Sequence, residues 1–171
     1  MKTNQKAKIL ANLHIRPMRL DDYEQVAMLW QQIEGFYIRS IDDSKEGVAR
    51  FLTRNPNTSV VAVLKDEDQK EWIIGSILCG HDGRYGSLYH VCVHKDFRQM
   101  GIGSRMVEAA LNALKKEQIS SISLIAFSEN IIGNTFWKKQ GWASKPNANR
   151  YEFSLNPANI SHKIDSPNPK N

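Results

Sequence analysis

The spacing of apolar and polar positions changes several times along the 171-residue chain, and each change marks an element. "LHIRPM" (13–18) alternates with a period of two, as a short edge strand does. Beyond it the period lengthens. Tyr23, Val26, Ala27, Trp30 and Ile33 recur at helical spacing, with Asp21 as N-cap and Gly35 as the stop. "DDSKEGVARFLTRNP" carries a second, shorter helix, capped by Ser44 and ended by Asn55-Pro56. Two β-branched runs, "TSVVAVLKD" and "EWIIGSILCG", flank the charged turn Asp66–Lys70 and predict a hairpin. "SLYHVCVH" is the next strand, behind the two-glycine turn "HDGRYG". "IGSRMVEAALNALKKEQ" has the helical stripe Val107, Ala110, Leu111 and Leu114. "SISLIAF" follows as a strand, then the helix "ENIIGNTFWKKQ", which Gly141 ends in the manner of a C′ residue. "WASKP" and "RYEFSL" predict two closing strands.

The order is one strand, two helices, a run of antiparallel strands, then strand–helix–strand–helix–strand. That order predicts a mixed α/β architecture around one central sheet. Residues 1–12 are polar and read as a flexible N-terminus, 13–155 as the domain, and 156–171 as a polar tail without a core of its own. No repeat or second domain is visible.

Composition narrows the classes. No apolar run approaches a membrane span, and the basic N-terminus lacks the apolar stretch of a secretory signal, so the expectation is a cytoplasmic protein without a membrane partner. The two cysteines, Cys79 and Cys92, lie inside predicted strands and read as buried free thiols. The formal charge of +5 is unevenly placed: residues 1–94 balance to zero, whereas 95–145 carry a net +4. A solvated basic face and an anionic ligand both explain that excess. A nucleic-acid partner is not expected, because no basic stripe interleaved with aromatics accompanies it.

The excess surrounds "FRQMGIGSRM" (97–106), a strand-to-helix turn. First-turn N–H groups of a helix lack intrahelical partners, and the helix dipole adds positive charge there. Gly101 and Gly103 let backbone amides close on phosphate oxygens, Ser104 adds a hydroxyl, and Arg98 and Arg105 add attraction. No Gly-Lys-Ser/Thr is present, so the loop suits holding a phosphate rather than transferring one. A Gly-x-Gly turn alone also fits a plain connection.

Its surroundings carry more. "VCVHKDFRQMGIGSRMVEAAL" resembles the acetyl-CoA-binding segment of the GNAT acetyltransferase superfamily, whose Arg/Gln-x-x-Gly-x-Gly/Ala is met by Arg98, Gly101 and Gly103. The proline usual after the strand is Lys95 here. "NIIGNTFWKKQGW" resembles the family's later motif through Asn130, Phe136, Trp137, Gly141 and Trp142, with Gly133 in place of alanine. Resemblance spans about residues 13 to 155. It implies a central, mostly antiparallel sheet of six to seven strands flanked by about four helices, with acetyl-CoA as co-substrate. By the same resemblance, Val91, Cys92 and Val93 would offer backbone groups to the pantetheine arm. Gln99, Met100, Gly101, Ile102, Gly103 and Ser104 would wrap the pyrophosphate, with Asn130 bonding nearby. Phe136 and Trp137 would pack near the thioester, although their spacing equally fits core residues. The sheet would splay between "YHVCV" and "SISLIAF".

The implied reaction is acetyl transfer to a primary amine of a small molecule or protein, with Val93 N–H as oxyanion donor. Relatives often place an acidic tyrosine where this chain has Trp137, and some place a carboxylate where it has Ile125. His90 is the leading candidate base and Asp82 the second; a hydrogen-bonded structural histidine and a turn-forming aspartate fit the same positions. Tyr89 is a substitute acid, and in a regular strand it and His90 point to opposite faces. Glu34, Asp42 and Asp43 suit either an ammonium group or helix capping. "CGHDGRYGSLYHVCVH" resembles a bacterial GNAT subgroup and does not name the acceptor. No spacing of His and Cys predicts a metal. A non-catalytic acyl-CoA-binding module is the alternative, and a homodimer through the late strands or the tail is compatible with either.

Overall fold

The computed structural model describes residues 2–165. Its elements run α1 (Lys2–Ala11), β1 (Leu13–Pro17), α2 (Tyr23–Trp30), β2 (Tyr37–Arg39), α3 (Lys45–Arg54), β3 (Val60–Lys65), β4 (Glu71–His81), β5 (Gly86–Val93), α4 (Ile102–Lys116), β6 (Ile122–Leu124), α5 (Ile131–Lys139) and β7 (Ser161–Lys163). Five strands form the main sheet in the order β1-β3-β4-β5-β6, and β2 and β7 form a separate two-stranded ribbon. All pairs are antiparallel except β5 with β6. The mixed, mostly antiparallel sheet expected from the element order is therefore present.

Alternation along the strands sends side chains to two cores. On one face Val60, Ala62, Ile77, Cys79 and Leu88 pack with Ile102, Met106 and Leu114 of α4. On the other, Val61, Val63, Leu78 and Cys92 pack with Val26, Leu29 and Trp30 of α2 and Val48 of α3. Period two in the strands and 3.6 in the helices meet here without conflict. Ser44 caps α3 as expected, its side chain accepting from Gly47 N–H. Asp21 does not cap α2. A 3-10 turn at Leu20–Asp22 precedes the helix, and Asp22 instead accepts from the Arg19 amide.

Three expectations need correction. Residues 2–11, taken as flexible, form α1, whose Leu10 packs against the α4-side core. "WASKP" and "RYEFSL" form no strands; the chain from Trp142 to Ile160 carries no regular element. A strand needs a neighbour to pair its backbone, and alternation alone does not provide one. The polar tail instead returns as β7 beside β2, and Ile164 is buried there, bonded through its N–H to Phe36 O and through its carbonyl to Gly35 N. The strand β2 itself lies in what the sequence suggested was a plain helix connection.

A partly buried charge cluster ties β1 to the turn before α2 and to β4. Arg16 forks onto both oxygens of Asp22 at 2.8 Å and reaches Glu71 at 2.7 Å. Burial opposes ionisation of Asp22, but Arg16 and the Arg19 amide outweigh it and hold its carboxyl below the ordinary range. Glu71 is lowered in the same direction by Arg16. A depressed folded value stabilises the fold fully above about pH 4, the unfolded aspartate range, and is lost as pH falls through the folded value. Arg16→Met should cost about 1–3 kcal/mol in urea unfolding at neutral pH, because it leaves the Asp22 carboxylate unpaired. The gap to the wild type should close as pH falls below the ordinary carboxylate range and through the depressed folded value; a gap constant from pH 7 to pH 2 contradicts this account.

Candidate active site

The site is built around a defect in the pairing of β4 with β5. Ser76 opposes Cys92 and Leu78 opposes Tyr89, so Ile77 stands against both His90 and Val91. The extra residue is a β-bulge, and His90 absorbs it with φ +47°. Alternation is lost at that point. Leu88 packs into the α4-side core, Tyr89 meets the Phe51 ring edge-on at 5.9 Å, and His90 stacks on Trp30 at 4.6 Å and Phe36 at 5.3 Å. Tyr89 and His90 thus share the α2–α3 face, contrary to the opposite faces expected of a regular strand.

On that face His90 has a partner the sequence does not announce. Its Nε2 lies 2.7 Å from Asp43 Oδ1. Asp43 is itself held: Oδ2 accepts from the Arg39 amide at 2.7 Å, and its carbonyl accepts from the Tyr23 hydroxyl at 2.9 Å. Burial pushes the Tyr23 phenol up, so it stays a neutral donor to that carbonyl. The bond to Asp43 occupies Nε2 of His90 and leaves Nδ1 as the nitrogen free for another partner. Forty-seven residues separate the pair in sequence, and nothing local signals it. Asp42, beside Asp43, is exposed and bonds Asn159; Glu34 is exposed.

Asp82 sits elsewhere. It closes the β4–β5 turn, accepting from the amides of Arg84 and Tyr85 at 2.8 and 2.6 Å, and these bonds keep its carboxyl below the usual range. Four strand residues, about 13 Å, separate that turn from His90. The structure brings Asp82 together with the turn amides and not with the histidine.

β5 pairs with β6 only over Gly86–Leu88. Beyond Leu88 the two strands part. His94 N–H donates to Ile74 O on the β4 side, so the preceding residue, Val93, turns its amide toward the open side. Arg98 folds back there, its Nε donating to Val93 O at 3.0 Å. The loop that follows winds through left-handed positions at Gln99 (φ +60°) and Gly101 (φ +81°) before α4 begins. Gly101 has nothing within 4 Å of where a Cβ would stand, so its backbone conformation, not crowding, requires glycine. At Gly103 the reverse holds: a Cβ would lie 3.3 Å from the Phe136 ring. Ile102 is buried and pins the helix start, and Met100 is half-buried against the same core. Ser104 Oγ accepts from Gln140 at 2.8 Å, tying α4 to the end of α5.

Asn130 caps α5, accepting from Gly133 N–H at 2.8 Å. Phe136, Trp137 and Trp142 form a ring-to-ring chain at 4.9 and 5.0 Å, half-buried against the α4-side core. Trp137 is thus wedged between two rings. Cys92 is buried, its Sγ 3.4 Å from Ser76 Oγ, which accepts from Trp30 Nε1. Burial pushes the Cys92 thiol up to about 11 and Cys79 to about 12, which disfavours a thiolate at either. Among the described residues, no three His, Cys, Asp or Glu side chains gather as a metal site, and no helix is long and apolar enough to cross a membrane.

The order of these parts can be compared with known proteins. The family model for the acetyltransferase (GNAT) family matches residues 19–142. An acetyltransferase of Pectobacterium atrosepticum is 32% identical over 123 residues, covering 71% of this chain and 82% of that protein. One of Sodalis glossinidius is 30% identical over 118 residues, covering 69% and 78%. In fold, the chain resembles Ard1 from Thermoplasma volcanium with a TM-score of 0.64 at 20% identity, covering 77% of this chain and 83% of that one. It also resembles AAC(6')-Iy, solved in complex with a CoA-linked bisubstrate analogue, with a TM-score of 0.63 at 15% identity over 84% and 99% of the two chains. A match across most of the folded chain, with parted strands and a glycine loop in the family's order, makes this protein a member of the GNAT acetyltransferase family.

Proposed function

We propose that the protein transfers an acetyl group from acetyl-CoA to a primary amine of a small molecule or protein, directly within a ternary complex. The observation that carries this reading is the parting of β5 from β6 after Leu88, beside the free amides at the start of α4. An extended polyamide arm fits a free strand edge, and a pyrophosphate fits a helix N-terminus with clear space at Gly101. Acetyl-CoA would supply an activated acyl group with a good leaving thiol.

The residues then divide the work. Backbone groups of Val91, Cys92 and Val93 hold the arm, and the Val93 amide faces the reacting carbonyl. Amides from Gln99 through Ser104 grip the pyrophosphate, and Arg98 and Arg105 draw it in. Asn130 fixes the start of α5, and Phe136 backs the loop through Gly103. His90, oriented by Asp43, takes the proton from the incoming ammonium so that a neutral amine attacks. Tyr89 on the same face is the proton source for the departing thiolate, a modest demand because thiolate leaves readily. Asp82 has no step, because its Oδ1 holds the amides of Arg84 and Tyr85 and the turn lies about 13 Å along the strand from His90. Location in the cytoplasm and a soluble partner suit this chemistry.

A second reading, a non-catalytic acyl-CoA-binding module, is favoured by the wedging of Trp137 between Phe136 and Trp142 in the usual acid's position. Binding of acetyl-CoA by calorimetry, with no thiol release across a broad amine panel, would replace the first reading by this one.

Gly101→Val should weaken acetyl-CoA binding at least tenfold in calorimetry with an unchanged circular dichroism spectrum, since φ +81° is strained for a branched residue. Full-strength binding sinks the loop assignment. His90→Gln should lower kcat on the order of 10²-fold and flatten the acidic limb of the pH–rate profile. Asp43→Asn should lower kcat less while leaving the acetyl-CoA Kd unchanged. An unaltered profile in His90→Gln removes the base. Cys92→Ala should keep activity within about threefold of the wild type, as direct transfer requires; loss of turnover with intact folding points to an acyl relay through sulfur.

A further inference from the structure

The gap that opens beyond Leu88 has a far wall. The last register pair of β5 with β6 is Leu88 with Leu124. Counted on from that pair, Phe127 stands across the gap from Val91, or from Cys92 once the extra residue of the bulge is allowed for. Phe127 is exposed there, and Glu129 follows in the turn before α5.

The ribbon β2–β7 reaches this wall. Tyr37 of β2 meets the Phe127 ring at 4.9 Å. Tyr37 is also the register partner of Lys163 in β7, and Lys163 Nζ lies 5.9 Å over the Tyr37 ring. A ring face attracts an ammonium group in this arrangement. Glu129 draws the same group from the wall side. Its own amide first, then the Ser128 hydroxyl and, more weakly, the Lys163 ammonium hold its carboxyl below the ordinary range. The ammonium is thus kept at the mouth of the gap by an aromatic face and a carboxylate.

The backbone beneath it is fixed while the side chain is free. Ile164 is buried and bonded to Phe36 and Gly35, so its neighbour Lys163 turns outward by strand alternation. Lys163 is exposed. Its flexible four-carbon stem lets Nζ swing past the ring edge toward the strand edge at Val91–Val93. Other lysines lack this placement. Lys65 and Lys70 border the β3–β4 turn, on the far side of β5 from the gap, and Lys115 and Lys116 end α4, a helix length from the glycine loop.

We propose that the protein acetylates itself in cis, with Lys163 Nζ as the acceptor. The inference rests on the acetyltransferase reading and names one acceptor for it, a protein lysine. The exposed ammonium gives one proton to water, and the neutral Nζ attacks the thioester carbonyl. An N–C bond forms and the C–S bond breaks, its electron pair leaving on sulfur. The second proton lost by nitrogen ends on the thiol of CoA, so no further reagent is needed. Acetylation removes the charge, and with it the attraction of Lys163 to Tyr37 and Glu129.

Protein first treated with a lysine deacetylase should be incubated with acetyl-CoA bearing a deuterated acetyl group and mapped by peptide mass spectrometry. Lys163 should take up label at least about tenfold faster than Lys70, because the tether replaces a bimolecular encounter. The rate should be first-order and unchanged when the protein is diluted. Apart from turnover, CoA without an acetyl group should slow the reaction of Lys163 with an amine-reactive reagent and leave Lys70 unaffected. Label spread evenly over Lys65, Lys70, Lys116 and Lys163 is chemical acetylation and overturns the proposal. A rate that rises with protein concentration also overturns it, since that is transfer between copies, as does a Lys163 that CoA does not shield. An unlabelled Lys163 in a protein that acetylates a free amine removes this inference and leaves the proposed function standing. A protein that neither acetylates an amine nor labels Lys163 loses both.

Discussion

Between Ser76 and Leu78, β4 offers one residue, Ile77, where β5 brings two, His90 and Val91. The surplus has to go somewhere, and the left-handed backbone at His90 takes it. A one-residue slip exchanges the faces of a strand, so the bulge decides which side chains meet α2 and α3 and which meet α4. Upstream, Leu88 joins the α4-side core; downstream, Val91 and Val93 return to it, with Cys92 opposite. Without the extra residue, His90 could not lie against Trp30 and reach Asp43 while Val91 and Val93 keep their places. The bulge also falls where β5 leaves β6, so one irregularity sets both the histidine and the open backbone beside it.

The loop after β5 is held on both sides by ordinary packing. Ile102 anchors it from below, and Phe136 closes on Gly103 from α5. Arg98 crosses back to Val93, and Gln140 ties Ser104 to the far end of α5. A site that must grip an anion with amides needs them pre-aligned, because free loop motion would be lost on binding at an entropic cost. The aromatic chain Phe136–Trp137–Trp142 backs that loop from α5 through the Phe136 ring, with Trp137 wedged between two other rings.

The ribbon β2–β7 links the site to the chain's far end. It hangs from Phe36 and Gly35 through Ile164, and it carries the Arg39 amide that holds Asp43. The orientation of His90 therefore rests on the pairing of β2 with a strand more than a hundred positions beyond β2.

Much of the fold was legible locally. Period-two runs located β1, β3, β4 and β5, helical stripes located α2, α3, α4 and α5, and Ser44 marked its helix start by capping chemistry. The glycine loop was legible because φ +81° at Gly101 and the close ring at Gly103 both demand glycine in the sequence. What stayed hidden depends on neighbours distant in the chain. The three-residue strands β2 and β7 are too short to show a period and exist because they pair with each other. The strand pattern at 150–155 was visible, but pattern does not supply a partner. Asp43 looked like one more acid near a helix start. Its role comes from a register defect in β5 and a hydrogen bond across 47 residues, and no local spacing encodes a contact that only the assembled sheet brings within 2.7 Å.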